Sequence, residues 1–572
     1  MKKNKTYTVF WLGVICACVC LMIILLPYTR GPVSTFRRDL PVFSKPVSLA
    51  HNKYGHYLVG FMARQNKDYS KMETAYKKAL VDDPDNEKLK RTVYLLTAIK
   101  GDIEHALPMA KELNDSKQAE LLTDYVILAE AIKNAQYDNA EKILSQKPRY
   151  GADQILKPVI SAWIKVGQGK KEEAQKALEA LNTPHSKSLY FYYRALLGLA
   201  FQDQKATEDS FNKMTTHLTN GYPSLTAVVF LRDFYQTQGK WKSGLPEYDQ
   251  LQTFVRNTPS IKDVVNDLKS PANVTPQVGV GIAFYDISVA LAPFKVEETS
   301  LLFNSLALYL IPDAISPKIW GGELLESTGN FQIANKIYNQ IPHQSDIIVL
   351  KTAMNLIAEE DYAPALPLLQ KLIQNNSDDG YLQMVLGDVH FKLKNYSEAV
   401  SSYQSAIKLL KKGNIPTITG KALFMLGMAL DSSGQSEEAE KTLLEALHFA
   451  PNDALALNYL GYLWLDKNKN IDEAFSMVSQ AFELNPNDPN IIDSMAWGYY
   501  LKKDYKKALE LAERSTDQLP YSSVAYAHLG DIYAALDRKR EASHQYRKAL
   551  DLTTDLTPKL KAELEQKLNL AR

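Results

Sequence analysis

Residues 528–550, HLGDIYAALDRKREASHQYRKAL, hold the pattern from which the rest of the chain is read. Leu529-Gly530 lies in one apolar helical stretch, and Ala542 and Ala549, seven residues apart, lie in the next. The same arrangement stands upstream as Met495-Ala496, Ala508, Ser515 and Pro520, as Leu460-Gly461, Ala474, Ala481 and Pro486, and as Leu426-Gly427, Ala439, Ala446 and Pro451. Gly or Ala at facing positions removes the bulk that would hold two antiparallel helices apart, so each copy reads as a helical hairpin. An aromatic such as Tyr403, Tyr338, Phe211 or Tyr76 is then expected to fill the groove to the next hairpin.

Marking the residue that opens each second helix and walking backwards gives Ala542, Ala508, Ala474, Ala439, Ala399, Ala365, Ala334, Ser300, Gly244, Thr207, Ala174, Ala140, Ala106 and Met72. Most intervals are 31 to 37 residues; one of 40 falls at Lys411-Lys412-Gly413-Asn414, and one of 56 separates Gly244 from Ser300. One hairpin cannot bury its apolar face alone, so the hairpins must stack. The expectation is an all-α solenoid of about fourteen hairpins after an N-terminal membrane helix. The pattern resembles the tetratricopeptide repeat, with Leu-Gly in the first helix, Ala-x3-aromatic-x2-Ala in the second and Pro at the close. The long interval predicts an inserted helix around Ile261 to Leu268 followed by a loop, Lys269 to Gly281, and a hinge within 245–299. Pro108, Pro246 and Pro367 are read as mild kinks early in second helices.

Composition bounds the function. Of 572 residues, 45% are hydrophobic and 23% charged, which fits a folded chain, and 66 basic against 65 acidic residues leave a net charge of +1. No overall field attracts a polyanion, so nucleic acid is not expected as a partner. The three cysteines, Cys16, Cys18 and Cys20, all lie in one N-terminal apolar run, which removes disulfides, thiolate metal sites and a cysteine nucleophile from the body.

That run, Val9 to Leu26, carries no charge over eighteen residues and follows Lys2, Lys3 and Lys5. Its length suits a bilayer span of about 20 residues, and no small-x-small cleavage site follows it. A retained single-pass anchor in a bacterial inner membrane, with the body facing the periplasm, is the expectation. A signal peptide, giving a soluble periplasmic protein, and an exported lipoprotein acylated at Cys18 are the alternatives. The chain thus parses into a cytoplasmic 1–8, an anchor or signal 9–26, a linker 27–48 punctuated by prolines, repeats over 49–251, an inserted helix and loop at 252–281, repeats over 282–556, and a capping helix at 557–572.

The blocks Asn458-Tyr459-Leu460-Gly461-Tyr462, Asp493-Ser494-Met495-Ala496-Trp497 and His528-Leu529-Gly530-Asp531 resemble those of envelope-associated proteobacterial tetratricopeptide repeat proteins, membrane-anchored or exported. Ala496 stands where that group has glycine. The resemblance implies a non-enzymatic scaffold of the cell envelope that binds proteins or peptides. It also admits an adaptor that brings peptidoglycan hydrolases to a carboxyl-terminal-processing protease, and a module binding cell-wall or polysaccharide polymers is a third reading.

In such a repeat the first helices line the concave face. Their positions outside the packing pair are Asn458, Tyr462 and Leu465, then Asp493, Trp497 and Tyr500, then Ala527 and Asp531. Aromatics flanked by Asn and Asp suit an extended peptide, with Asn458, Tyr462, Asp493, Trp497, Tyr500 and Asp531 as the candidate partner-binding residues. The competing reading packs Trp497 and Tyr462 into the core and leaves Asp493 and Asp531 at helix starts or on the surface. A carboxylate clamp of Lys, Asn and Arg is not expected, because Asp493 and Asp531 have the wrong sign. No catalytic, cofactor or metal site is expected: Gly279-Val280-Gly281 reads as a loop feature, the ten histidines are scattered and solvated, and acidic pairs such as Glu437-Glu438 sit at helix starts.

Overall fold

The structure is a computed structural model and describes residues 53–115, 122–145, 151–217, 224–240, 268–271, 273–342, 344–552 and 556–570. The apolar run 9–26, the linker 27–48, Gly244, Pro246 and residues 252–267 of the insertion lie outside these. Among the described residues every regular element is helical, 28 α-helices in all, and the chain divides into two compact units after Glu360.

The first unit holds α1 (Lys53–Gln65), α2 (Tyr69–Asp82), α3 (Glu87–Ile99), α4 (Ile103–Asp115), α5 (Thr123–Lys133), α6 (Tyr137–Ser145), α7 (Asp153–Gly167), α8 (Lys171–Leu178), α9 (Lys187–Ala200), α10 (Gln204–Thr216), α11 (Leu225–Thr237), α12 (Pro276–Leu291), α13 (Glu297–Leu310), α14 (Ile315–Ser327), α15 (Phe331–Tyr338) and α16 (Asp346–Ala358). The second holds α17 (Tyr362–Asn375), α18 (Gly380–Lys392), α19 (Tyr396–Lys412), α20 (Pro416–Ser432), α21 (Ser436–Phe449), α22 (Ala454–Asp466), α23 (Ile471–Leu484), α24 (Pro489–Leu501), α25 (Tyr505–Gln518), α26 (Ser523–Ala535), α27 (Lys539–Asp551) and α28 (Pro558–Leu570).

Every position marked in the backward walk, Gly244 aside, is buried, so the small residues do sit where two helices approach. The aromatics behave differently from the expectation. Tyr546 lies across Gly530 of its own hairpin, where a Cβ would stand 2.4 Å from the ring, instead of filling a groove to the next one. Glycine is needed there because any side chain would occupy the space of the ring. The tyrosine hydroxyl then reaches past the glycine and donates to Asp531 at 2.8 Å, and Tyr403 donates in the same way to Asp388 at 2.7 Å. Pro108 and Pro367 lie inside α4 and α17, and both helices run on past them.

The first unit departs from simple neighbour-to-neighbour stacking. Helices α12 and α13 pack across α3, α5 and α7, the first helices of three early hairpins. Phe284 and Phe303 close on Tyr125 with ring centroids 5.8 and 5.5 Å away, and Ser305 donates to the Ile99 carbonyl at 3.2 Å. Further along, the Asn330 side chain accepts from the Tyr69 N–H at 3.0 Å and donates to the Lys67 carbonyl at 2.9 Å. The early hairpins and α12 to α15 therefore share one core.

This corrects the reading of the insertion. Gly279-Val280-Gly281 is not a loop but the start of α12, whose first turn is set by Thr275, which accepts from the Val278 N–H at 3.3 Å, and by Pro276 at the first helical position. Gly279 is needed where the helix crosses the buried Trp163. Residues 276–299 fall within the first unit, which runs to Glu360, so the chain does not divide there. Pro276–Phe294 is the only stretch among the described residues long and apolar enough to cross a membrane, and 61% of it is buried, as expected of a core helix.

Asp286 is one of the carboxylates buried in this unit. Asp286 accepts from the Tyr193 hydroxyl at 2.9 Å and from Thr226 Oγ1 at 3.0 Å, while burial pushes its pKa up to about 7 against the pull of those bonds. A carboxyl raised above its unfolded value of about 3.9 weakens the fold while ionised and regains that stability as pH falls from its folded value towards the unfolded one. The first unit should therefore melt at higher temperature as pH is lowered from about 8 to about 5, and Asp286→Asn should flatten that gain. Thermal melts of the two proteins across this range, with hydrogen exchange assigning the transition to the first unit, check it.

Candidate functional site

The first helices of three consecutive hairpins in the second unit, α22, α24 and α26, carry the candidate residues. Each helix starts at a capped turn. Asp453 accepts from the Leu455 and Ala456 N–H groups, Asp488 from those of Asn490 and Ile491, and Ser522 from that of Ala525. These caps fix where each helix begins, and thus which residues face the next repeat.

Within α24 the spacing Asp493, Trp497, Tyr500 places three side chains on one helix face. The Trp497 indole stacks on Tyr500 at 4.6 Å with 14° between planes, and on His528 of α26 at 4.3 Å and 17°. Tyr462 of α22 lies tilted against His528 at 6.0 Å. Beneath the stack, His528 Nδ1 and Asp493 Oδ2 pair at 2.9 Å, with 6% and 7% of the two residues exposed. Four of the candidates, Tyr462, Asp493, Trp497 and Tyr500, are thus brought together around one histidine.

His528 is the residue that sequence reasoning missed, since the histidines were expected to be scattered and solvated. It occupies the register position held by Tyr459 and Ser494 in the two preceding copies, and only its distance of 35 residues from Asp493, one repeat length, hints at the pairing. Burial pulls the imidazole pKa down, but the Asp493 charge and hydrogen bond, helped by Asp531 and Asp466, outweigh this and hold it above its ordinary value. Below that raised value the imidazolium is held by the Asp493 side chain.

A histidine raised in this way contributes stability that is fully present below its unfolded pKa of about 6.5 and is lost as pH rises through the higher folded value. Hydrogen exchange of the α24 and α26 amides should therefore quicken as pH rises above about 6.5, after correction for the intrinsic rate, and the trend should vanish in His528→Phe.

Other expectations are corrected. Asp493 and Asp531 are neither surface residues nor helix starts; both are buried within their helices. Asp531 is not open to a partner, because its two oxygens are taken by the Tyr546 hydroxyl at 2.8 Å and by Lys567 Nζ of α28 at 2.7 Å. Leu465 and Ala527, expected to face outward, are buried in the core.

Among the described residues, three buried polar atoms in this cluster have no hydrogen-bond partner: Asn458 Oδ1, Asp493 Oδ1 and Trp497 Nε1. The arrangement can accept and donate hydrogen bonds and offers aromatic edges. Among the described residues no group of three His, Cys, Asp or Glu side chains is placed to hold a metal ion.

Comparison with known proteins agrees with this architecture. Tetratricopeptide repeat models match residues 350–413, 424–489 and 523–555, so these stretches carry tetratricopeptide repeats. A TPR repeat-containing protein of Pseudomonas aeruginosa is 33% identical over 109 residues, which are 19% of this chain and 18% of that protein. The chain thus matches under a fifth of that relative's length. Among solved structures, the Cut9–Hcn1 hetero-tetramer of the APC/C is similar at 14% identity and a TM-score of 0.37, covering 91% of this chain and 97% of that one. YrrB, a TPR protein with an unusual peptide-binding site, is similar at 19% identity and a TM-score of 0.27, over 35% of this chain and 97% of its own.

Proposed function

We propose that the protein is a non-enzymatic scaffold of the bacterial cell envelope that binds an extended protein segment on the α22–α24–α26 face of its second unit. The observation that carries this reading is the rigid Tyr500–Trp497–His528 stack, with the side chains of Asn458, Tyr462, Trp497 and Tyr500 partly exposed along three successive first helices. An extended segment can lay side chains against such preorganised aromatic area at little entropic cost to the scaffold. The apolar run Val9 to Leu26 behind three lysines supports a single-pass anchor with the body on the outer side of the membrane. Held there, the scaffold would act by raising the local concentration of its partners. The proteobacterial resemblance of the 458–531 blocks supports the envelope setting. A polysaccharide would need free ring faces to stack on, and both faces of Trp497 are covered by Tyr500 and His528.

The test is binding of the full-length protein, in detergent, to a displayed library of short extended peptides. Retained peptides should fall about tenfold with Asn458→Ala and with Trp497→Ala, a loss of about 1.4 kcal/mol, while circular dichroism stays unchanged. Retention that is the same in both variants would move binding off this face.

A further inference from the structure

We infer that α1, the first helix of the first unit, is an interface through which two copies of this chain pair across a two-fold axis.

The register of the repeat exposes the gap. Gly60 stands against Tyr76 as Gly387 stands against Tyr403 and Gly530 against Tyr546, with a Cβ at each falling 2.4 to 2.6 Å from the ring. Two residues after the glycine, Val389 and Ile532 are wholly buried, and two before it, Val385 and His528 are buried as well. In α1 the same positions hold Met62 and Leu58, four residues apart on one stripe, and both are exposed, Met62 by 67%. The difference lies in what packs there. In the later copies the second helix of the preceding hairpin, α17 or α25, packs against the first helix, whereas no helix precedes α1 among the described residues.

Around that stripe Tyr57, Val59 and Phe61 are exposed too, so five of the exposed large apolar side chains of the described residues lie on one helix of 13 residues. Phe61 fills the position of Asp388 and Asp531, the carboxylates that anchor the tyrosine hydroxyl in the other copies. An aromatic ring therefore stands where the pattern holds an acid.

The terminal repeats of a solenoid ordinarily present a polar outer face. The last helix, α28, does so with Lys559, Lys561, Glu563 and Glu565 exposed, and α1 does not. Stacking one copy head to tail on another would set the apolar stripe of α1 against those charges. Pairing α1 with α1 instead matches apolar with apolar, and because Tyr57 to Met62 carries no charge, it brings no like charges together. The five residues leave about 500 Å² uncovered, so two copies hide about 1,000 Å², the least that a specific interface needs.

The experiment is sedimentation equilibrium of the full-length protein in density-matched non-ionic detergent, with micelles in excess so that chains are not forced together. The protein mass should rise from one chain to two across micromolar concentrations. Leu58→Glu/Met62→Glu and Leu58→Lys/Met62→Lys should each weaken pairing by more than about tenfold, since exposed apolar side chains become like charges that face each other. An equimolar mixture of the two variants should pair again, because the charges across the axis are then opposite, and this rescue also shows that both variants are folded. A single-chain mass at every concentration overturns the proposal. Hydrogen exchange then names the other occupant: protection of α1 in a single chain assigns the face to residues that precede it, and protection only on phosphatidylglycerol vesicles assigns it to a membrane. Pairing that survives in both charged variants, or that mixing them fails to restore, overturns the two-fold contact as well.

Discussion

Asp493→Ala is expected to cost the second unit about 3 kcal/mol or more, because it strands His528 in the interior with its partner removed. The imidazole is 6% exposed, and Asp493 is the group that hydrogen-bonds its Nδ1. Without that carboxylate, His528 either stays charged and unpaired or gives up its proton, and in both cases the stability tied to the raised pKa is lost. The same change loosens the Tyr500–Trp497–His528 stack, since the imidazole is held at its stacking angle by the bond beneath it. Asp493→Asn should cost less, because an amide oxygen can still accept from Nδ1. The check is urea denaturation of the single variants and of Asp493→Ala/His528→Phe. Removing both partners should recover part of the loss, and strict additivity would mean that the pair carries no coupling.

Gly279→Leu is expected to disrupt the first unit while leaving the second folded. A Cβ at residue 279 would stand 1.9 Å from the Trp163 ring, far inside contact distance, and Trp163 is itself 1% exposed and has nowhere to move. Overpacking at such a site commonly costs about 1–3 kcal/mol, and here the displaced group is a central aromatic, so the upper end applies. Hydrogen exchange read separately over 53–360 and 361–572 should show protection lost in the first range only. Trp163→Leu combined with Gly279→Ala should fold better than Gly279→Ala alone, since the smaller side chain vacates the space.

The repeat was legible because close helix packing imposes a spacing that survives in the residue types. Gly530 and Ala542, and their described counterparts back to Met72, fell where helices meet. The positions flanking the packing pair led to Tyr462, Asp493, Trp497 and Tyr500 for the same reason. What periodicity reports, however, is the relation between neighbours. It could not show that Asn330 bonds to Tyr69, 261 residues away, or that α12 and α13 fill the face of α3, α5 and α7. His528 escaped for a related cause: it breaks the pattern in one copy, and its partner is one repeat upstream. The Gly279 region was misread because two glycines outweighed Thr275-Pro276, a cap and first-turn proline that signal a helix start.

Closure of the first unit on itself bears on how the chain unfolds. In an open array each hairpin touches only the next, so ends fray and single repeats can be trimmed away with graded loss. The second unit keeps that neighbour-to-neighbour order in its helix packing, apart from Tyr462 of α22, which reaches His528 two hairpins on. In the first unit, Tyr69 and Lys67 are tied to Asn330, and Ile99 to Ser305, so removing the opening hairpins uncovers the apolar helices near its end. Its stability is therefore shared by all members and not summed over them. Such non-local contacts also slow folding, because long segments must be brought together before any of them is rewarded. One half of the molecule would then behave as an all-or-none block, and the other as a string of units able to open locally around a guest.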